Sequence, residues 1–179
     1  PMSISNIASG AIAIKFGLLG SSFSITSACA SSTHCIGEAY RNIKDGYSDI
    51  IFAGGSEASI CEFGISSFQS LTALSKSEDR NRASIPFDLN RNGFVMGEGA
   101  GVLILEDLES ALKRGAKIYC EIVGYGTTSD AYHITSPCPD GNGAYRCMRD
   151  AMADASVKCT EISYINAHGT ATEINDKVE

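Results

Sequence analysis

Apolar and small residues recur at helical spacing from Asn6 to Phe16, and again past Cys29, where Ile36, Tyr40 and Ile43 mark one face of a helix that Gly46 ends. Between them Ser22-Phe23-Ser24-Ile25 alternates, which predicts a short strand. Asp49–Ala53 and Val102–Leu105 are apolar runs of the kind that make buried strands, the first closed by Gly54-Gly55. Leu108–Arg114 predicts a short helix stopped by Gly115. Past Ala116 the pattern restarts with a strand at Ile118–Tyr125, a helix from about Gly143 to Asp154 and a strand at Tyr164–Ala167. Periodicity is poor from Ser56 to Arg91, and Ser75–Arg82 is polar enough to predict a long surface excursion. This alternation predicts a layered α/β protein with sheets covered on both faces, divided near Ala116 into residues 1–116 and 117–179. Each half sets apolar strands ahead of a polar turn, a hint of duplicated architecture without readable repeat identity.

Composition narrows the classes. With 179 residues, 44% hydrophobic and 20% charged, the chain is globular and long enough for one good core or parts of two linked units. No apolar run approaches the roughly 18 residues of a membrane span, so no membrane partner is expected. A net charge of −7 argues against a nucleic-acid surface. Lys76, Arg80, Arg82 and Arg91 share one polar stretch that reads as a solvated loop before it reads as a site for an acidic partner. The first residue is Pro1 and the last residues are polar, so the chain is expected to be a piece of a longer one. Seven cysteines without a C-x-x-C pair fit neither a disulfide framework nor a thiolate zinc site, and suit reduced thiols in a cytosol-like compartment.

Candidate chemistry gathers at two places. Cys29 follows Ile25-Thr26-Ser27-Ala28, where polar residues give way to the helix. A side-chain cap from Thr26 or Ser27 would turn the first N–H groups and the positive helix end toward the sulfur and favour the thiolate. The competing reading is a small buried hydrophobe. His168 follows an apolar strand and precedes Gly169, Thr170 and Thr172, and strand ends are where side chains converge on ligands in α/β folds. Paired with a cysteine nucleophile, a neutral imidazole can donate to a thioester carbonyl oxygen and stabilise the developing enolate. The hydroxyls of Thr135, Thr170 and Thr172 suit the amides of an extended substrate arm, although capping and turn formation account for most loop hydroxyls. His34 and His133 read as structural. Gly97-Glu98-Gly99-Ala100-Gly101 has neither the ending of a phosphate loop nor a following helix, and reads as a place where backbone approaches closely beside the site.

Four segments in order, Ser27-Ala28-Cys29-Ala30-Ser31-Ser32, Gly93-Phe94-Val95-Met96-Gly97-Glu98-Gly99-Ala100-Gly101, Ser129-Asp130-Ala131-Tyr132-His133-Ile134-Thr135 and Asn166-Ala167-His168-Gly169-Thr170-Ala171-Thr172, resemble the β-ketoacyl-[acyl-carrier-protein] synthases, most closely type II. The resemblance implies a thiolase-like layered α/β/α/β/α fold, here only its central portion. Residues 1–116 would be the later part of the N-terminal half and 117–179 the start of the C-terminal half. It implies a homodimer serving an acyl carrier protein in fatty-acid elongation, in a bacterial cytoplasm or an organelle. Cys29 would accept the acyl group, its own N–H contributing to the oxyanion hole, and His168 would be the first catalytic histidine. Thr135 and Thr170, with Thr172, would line the phosphopantetheine tunnel, and Phe68 the acyl pocket or its dimer boundary. No cofactor and no metal are implied. In the family a second histidine, a lysine and a glycine-rich gate lie downstream of the His-Gly-Thr motif, so residues 1–179 alone are expected not to condense substrates. The competing readings are a polyketide ketosynthase, a degradative thiolase, and a non-catalytic folding or dimerisation module.

Overall fold

The computed structural model describes residues 4–179, which form two units. One gathers the chain up to Gly55 with Gly101–Ile118, the other Ser56–Ala100 with Tyr119–Glu179.

The first unit holds α1 (Ile7–Phe16), α2 (Ser31–Lys44), the bodies of β1 (Ile50–Glu57) and β2 (Gly99–Glu106), and α4 (Leu108–Lys113). Gly17, at φ 65°, takes the left-handed turn that stops α1, its N–H donating to the Ala13 carbonyl. Arg41 and Lys44 place cations in the last turn of α2, which favours that end of its dipole. Asp107 caps α4 by accepting the Ser110 N–H at 3.0 Å. β1 and β2 pair as a two-stranded sheet. The Asp107 N–H donates to Asp49 O at 3.0 Å and Gly54 lies against Gly101 and Val102, so the strands run antiparallel. Gly54-Gly55 therefore does not close β1, which continues through it. A Cβ on Gly54 would collide with the Gly101 carbonyl and one on Gly55 with Ser32 of α2, so these glycines serve close approach rather than a turn. Ala39 and Tyr40 of α2, Ala53 of β1 and Ala111 of α4 are buried in this unit, and the Phe16 and Phe52 rings meet edge to face with centroids 5.7 Å apart.

The predicted strand at Ser22–Ile25 is absent. Among the described residues the segment has no ladder partner, and its Ser24 hydroxyl donates to the Ser5 carbonyl at 3.0 Å.

The second unit holds α3 (Glu62–Ser70), α5 (Asn142–Ala155) and α6 (Glu173–Val178). Helix α3 lies in the stretch read as irregular. Ser66, Ser67 and Ser70 break any apolar stripe, and two of their hydroxyls bond carbonyls one turn back, Ser67 to Phe63 O at 2.7 Å and Ser70 to Ser66 O at 2.8 Å. The polar run beyond it makes a short 3-10 turn at Arg80–Arg82, capped by Asp79. The stretch predicted as a strand at Ile118–Tyr125 is not a strand among the described residues, and from Tyr125 onward the chain bonds to α5. The Tyr125 N–H donates to Asp154 at 3.0 Å, the Thr128 hydroxyl to Gly143 O at 2.8 Å, and Arg146 to Ser129 O at 2.8 Å. Gly124 and Gly126 allow this, since a Cβ on either would run into the α5 backbone at Ala151 and Cys147. Tyr164–Ala167 likewise has no strand neighbour among the described residues. A Cβ added to Gly97, Gly99 or Gly101 would itself meet none of the described atoms within 4 Å, while the Gly101 backbone is the one that lies against Gly54. The crowded glycine of that segment is Gly93, held at φ 136° against Ala73 and Leu74.

Candidate functional site: a cysteine turn and a histidine loop

In the first unit Cys29 is exposed, two residues ahead of α2. Helix α2 is capped at Ala30 with no side-chain bond, so neither Thr26 nor Ser27 caps it. The Ser27 hydroxyl is drawn instead to His34 Nδ1 at 2.6 Å. Ala28, immediately before the cysteine, takes φ 51°, a left-handed conformation costing a residue with a Cβ about 1 kcal/mol or more. The turn is closed by Ala30 N–H to Ser27 O and Ser31 N–H to Ala28 O, both at 3.1 Å. The strained residue thus turns the chain sharply into the helix and leaves the thiol at the surface.

In the second unit His168 is exposed at the head of a loop whose backbone is pinned from α6 and the residue after it. The Glu179 carboxylate accepts the His168 and Gly169 N–H groups, each at 2.8 Å, and an Asn175 amide N–H at 2.9 Å. Gly169 at φ 55° and Ala171 at φ 59° fold the loop back. Thr170 and Thr172 come together, their hydroxyl oxygens 2.8 Å apart. One proton is spent in that bond, which leaves the pair one O–H donor and lone pairs for a ligand. Thr135 is in a separate exposed turn. Its N–H and that of Ser136 both donate to His133 Nδ1 at 3.1 Å, so that ring is occupied in holding the turn. Phe68, on α3, meets Phe94 edge to face with centroids 5.4 Å apart.

The feature that sequence reading missed is Asp176. Its side chain has no exposed surface and accepts the Phe87 N–H at 2.7 Å and the Ala171 N–H at 3.1 Å. Arg91 stands 3.4 Å from the same carboxylate and also donates to the carbonyls of Asp88, Thr172 and Glu173 at 3.1, 3.1 and 2.8 Å. Arg91 therefore belongs to the frame of the histidine loop rather than to a solvated basic surface, and Arg82 is paired with Asp88 at 2.9 Å. Nothing in the local pattern separates Asp176 from the other acidic residues near it, because two of its partners, Phe87 and Arg91, lie over 80 residues away. At Cys138 the neighbouring Asp140 carboxylate accepts from the thiol and holds its pKa above the usual value, while Asp140 is held low, first by the Asn142 N–H. Among the described residues no group of three His, Cys, Asp or Glu is gathered to hold a metal ion, and no helix is long and apolar enough to cross a membrane.

The cysteine turn lies in the N-terminal and the histidine loop in the C-terminal domain of one family. The β-ketoacyl synthase N-terminal domain matches residues 1–111 and the C-terminal domain of the same family matches residues 119–179, so the chain belongs to the β-ketoacyl synthase family. It is 52% identical over 180 residues to 3-oxoacyl-[acyl-carrier-protein] synthase 2 of Synechocystis and 48% identical over 176 residues to that of Staphylococcus aureus. These alignments cover 100% and 98% of the chain but 43% and 44% of the relatives, so the chain spans less than half their length. Its fold follows that of a type II polyketide ketosynthase solved with its acyl-carrier protein and a bound hexaketide, with TM-score 0.93 and 42% identity over 96% of this chain and 42% of that one. The ishigamide ketosynthase/chain length factor matches with TM-score 0.90 and 40% identity, over 98% of this chain and 42% of that one. The architecture is thus a portion of the thiolase-like ketosynthase fold.

Proposed function

We propose that the protein carrying this chain elongates fatty acids by decarboxylative Claisen condensation of an acyl thioester with malonyl-[acyl-carrier-protein]. The observation that carries this reading is the exposed Cys29 beyond a left-handed Ala28 at the start of α2, in a chain 52% identical to a 3-oxoacyl-[acyl-carrier-protein] synthase.

The Cys29 thiolate attacks the acyl thioester carbonyl. A new C–S bond forms, the bond to the carrier's sulfur breaks, and the carrier thiol leaves. Malonyl-carrier then enters and loses CO2, and the bond electrons pass into an enolate whose oxygen accepts a hydrogen bond from His168. The enolate carbon attacks the acyl-cysteine carbonyl and Cys29 departs as thiolate. Splitting the reaction at the acyl-cysteine lets one site handle the two thioesters in turn. The Thr170–Thr172 pair and Thr135 hold the amides of the phosphopantetheine arm, and Phe68, backed by Phe94, lines the acyl pocket or the dimer boundary beside it. Residues 1–116 act as the later part of the N-terminal half and 117–179 as the start of the C-terminal half, a division that the bounds of the family domains support. The partners are an acyl carrier protein and a second copy of the chain, and the work is done in a bacterial cytoplasm or an organellar matrix.

A polyketide ketosynthase is the second reading, favoured by the likeness to the hexaketide-bound enzyme. Both are tested by supplying the full-length protein with acyl- and malonyl-carrier protein. Fatty-acid elongation gives a single β-ketoacyl product per acyl group, and His168→Ala retains acylation of Cys29 while condensation falls at least about 100-fold. A ladder of poly-β-keto products selects the polyketide reading. Absence of any β-keto product contradicts both.

A further inference from the structure

We infer that Ser27, Ser31 and His34 form a lock that positions the nucleophile turn, an inference resting on the reading of Cys29 as acyl acceptor. A left-handed residue with a Cβ persists only where its surroundings over-determine it, and Ala28, at φ 51°, is gripped from both sides. The Ser31 hydroxyl donates to the Ala28 carbonyl at 2.7 Å and accepts the Ser27 N–H at 2.8 Å, so one oxygen ties the peptide group after the strained residue to the one before Ser27. The Ser27 hydroxyl spans seven residues to His34 Nδ1 at 2.6 Å, and His34 is itself fixed in α2 through its N–H to Ala30 O at 2.9 Å. Ser27 and His34 are half-buried while Cys29 is exposed. The Ser27–His34 bond is thus partly shielded from water and the sulfur is not.

These three residues are positioning residues, since the bonds described above run to the turn. Their effect is on where the thiolate stands when a carbonyl arrives, and a misplacement of about 1 Å can cost on the order of 100-fold in rate. Ser27 is thereby released from the capping role its position suggests. His34 gains a task beyond filling a helix face.

The test uses the full-length protein and reads Cys29 by peptide mass in two reactions, single-turnover acylation from an acyl-carrier protein and alkylation by iodoacetamide. Ser27→Ala and His34→Ala are expected to slow acylation about tenfold, the equivalent of one well-made hydrogen bond. Alkylation, which asks for no defined approach, stays within about twofold of wild type. Ser27→Thr and His34→Asn, which restore a hydroxyl and a polar atom near the Nδ1 position, recover most of the rate. If His34→Ala does not fold, Ser31→Ala, lacking one oxygen, carries the same expectation. Acylation at the wild-type rate in every variant overturns the lock, as does parallel loss of acylation, alkylation and thermal stability without rescue. Should wild type itself fail to acylate Cys29, the ketosynthase reading falls separately. The lock is then judged by amide exchange at residues 28–31, where acceleration in His34→Ala, reversed in His34→Asn, supports it and unchanged exchange overturns it.

Discussion

At Ala28 the chain accepts a conformation that alanine resists and glycine does not. Ala28→Gly removes about 1 kcal/mol or more of strain and returns part of it as unfolded-state entropy, so a net gain of about 0.5 kcal/mol is expected in chemical denaturation of the full-length protein. Ala28→Val, with its branched Cβ at φ 51°, is expected to destabilise; a neutral result for both would show that the turn relaxes elsewhere. Cys138 illustrates the opposite treatment of a thiol. Asp140 accepts a hydrogen bond from its S–H and raises its pKa, so less thiolate is present at mildly alkaline pH and alkylation is retarded. Asp140→Asn removes the carboxylate's charge, and the Cys138 alkylation rate, followed by peptide mass at pH 8, is expected to rise several-fold. An unchanged rate would show that Asp140 does not govern this thiol.

Between elements, Asp176 joins α6 to the Phe87–Gly93 segment. Two backbone N–H groups and Arg91 converge on a carboxylate with no exposed surface, and the Gly93 N–H donates to Ala171 O at 2.9 Å beside them. Removing one member of such a buried set strands the others, so Asp176→Ala is expected to lower stability by about 3 kcal/mol, and Asp176→Asn, which keeps an acceptor, by less. A loss below about 1 kcal/mol, the size of an exposed pair, would contradict this assignment. The contrast with the sequence reading is physical. Helices α2 and α5 were legible from the periodicity of Ile36, Tyr40 and Ile43 and from the run after Gly143, and β1 and β2 from unbroken apolar runs, because those signals are local. Helix α3 was not, since its serines erase the stripe. The stretches at Ile118–Tyr125 and Tyr164–Ala167 have the composition of strands, yet neither is a strand among the described residues, because forming one depends on the neighbour as well as on the segment, and α5 meets the Tyr125 N–H and the Thr128 hydroxyl. Of the candidate site, the motifs around Cys29 and His168 are readable in the sequence, while the Ser27–His34 bond and the Asp176 hub depend on approaches that no local pattern encodes.

For the whole molecule, the family assignment and the cysteine turn converge on one chemical claim, that Cys29 carries the acyl group between two thioesters. The likeness to a ketosynthase solved with its carrier protein makes carrier-bound acyl thioesters the substrates to try first. The most direct test is to incubate the full-length protein with an acyl-carrier protein and map the added mass by peptide, with Cys29→Ala alongside. A single acyl adduct on the peptide bearing Cys29, absent from the variant, is the result this account predicts. A folded protein that acquires no adduct, or acquires it on another cysteine, would contradict it.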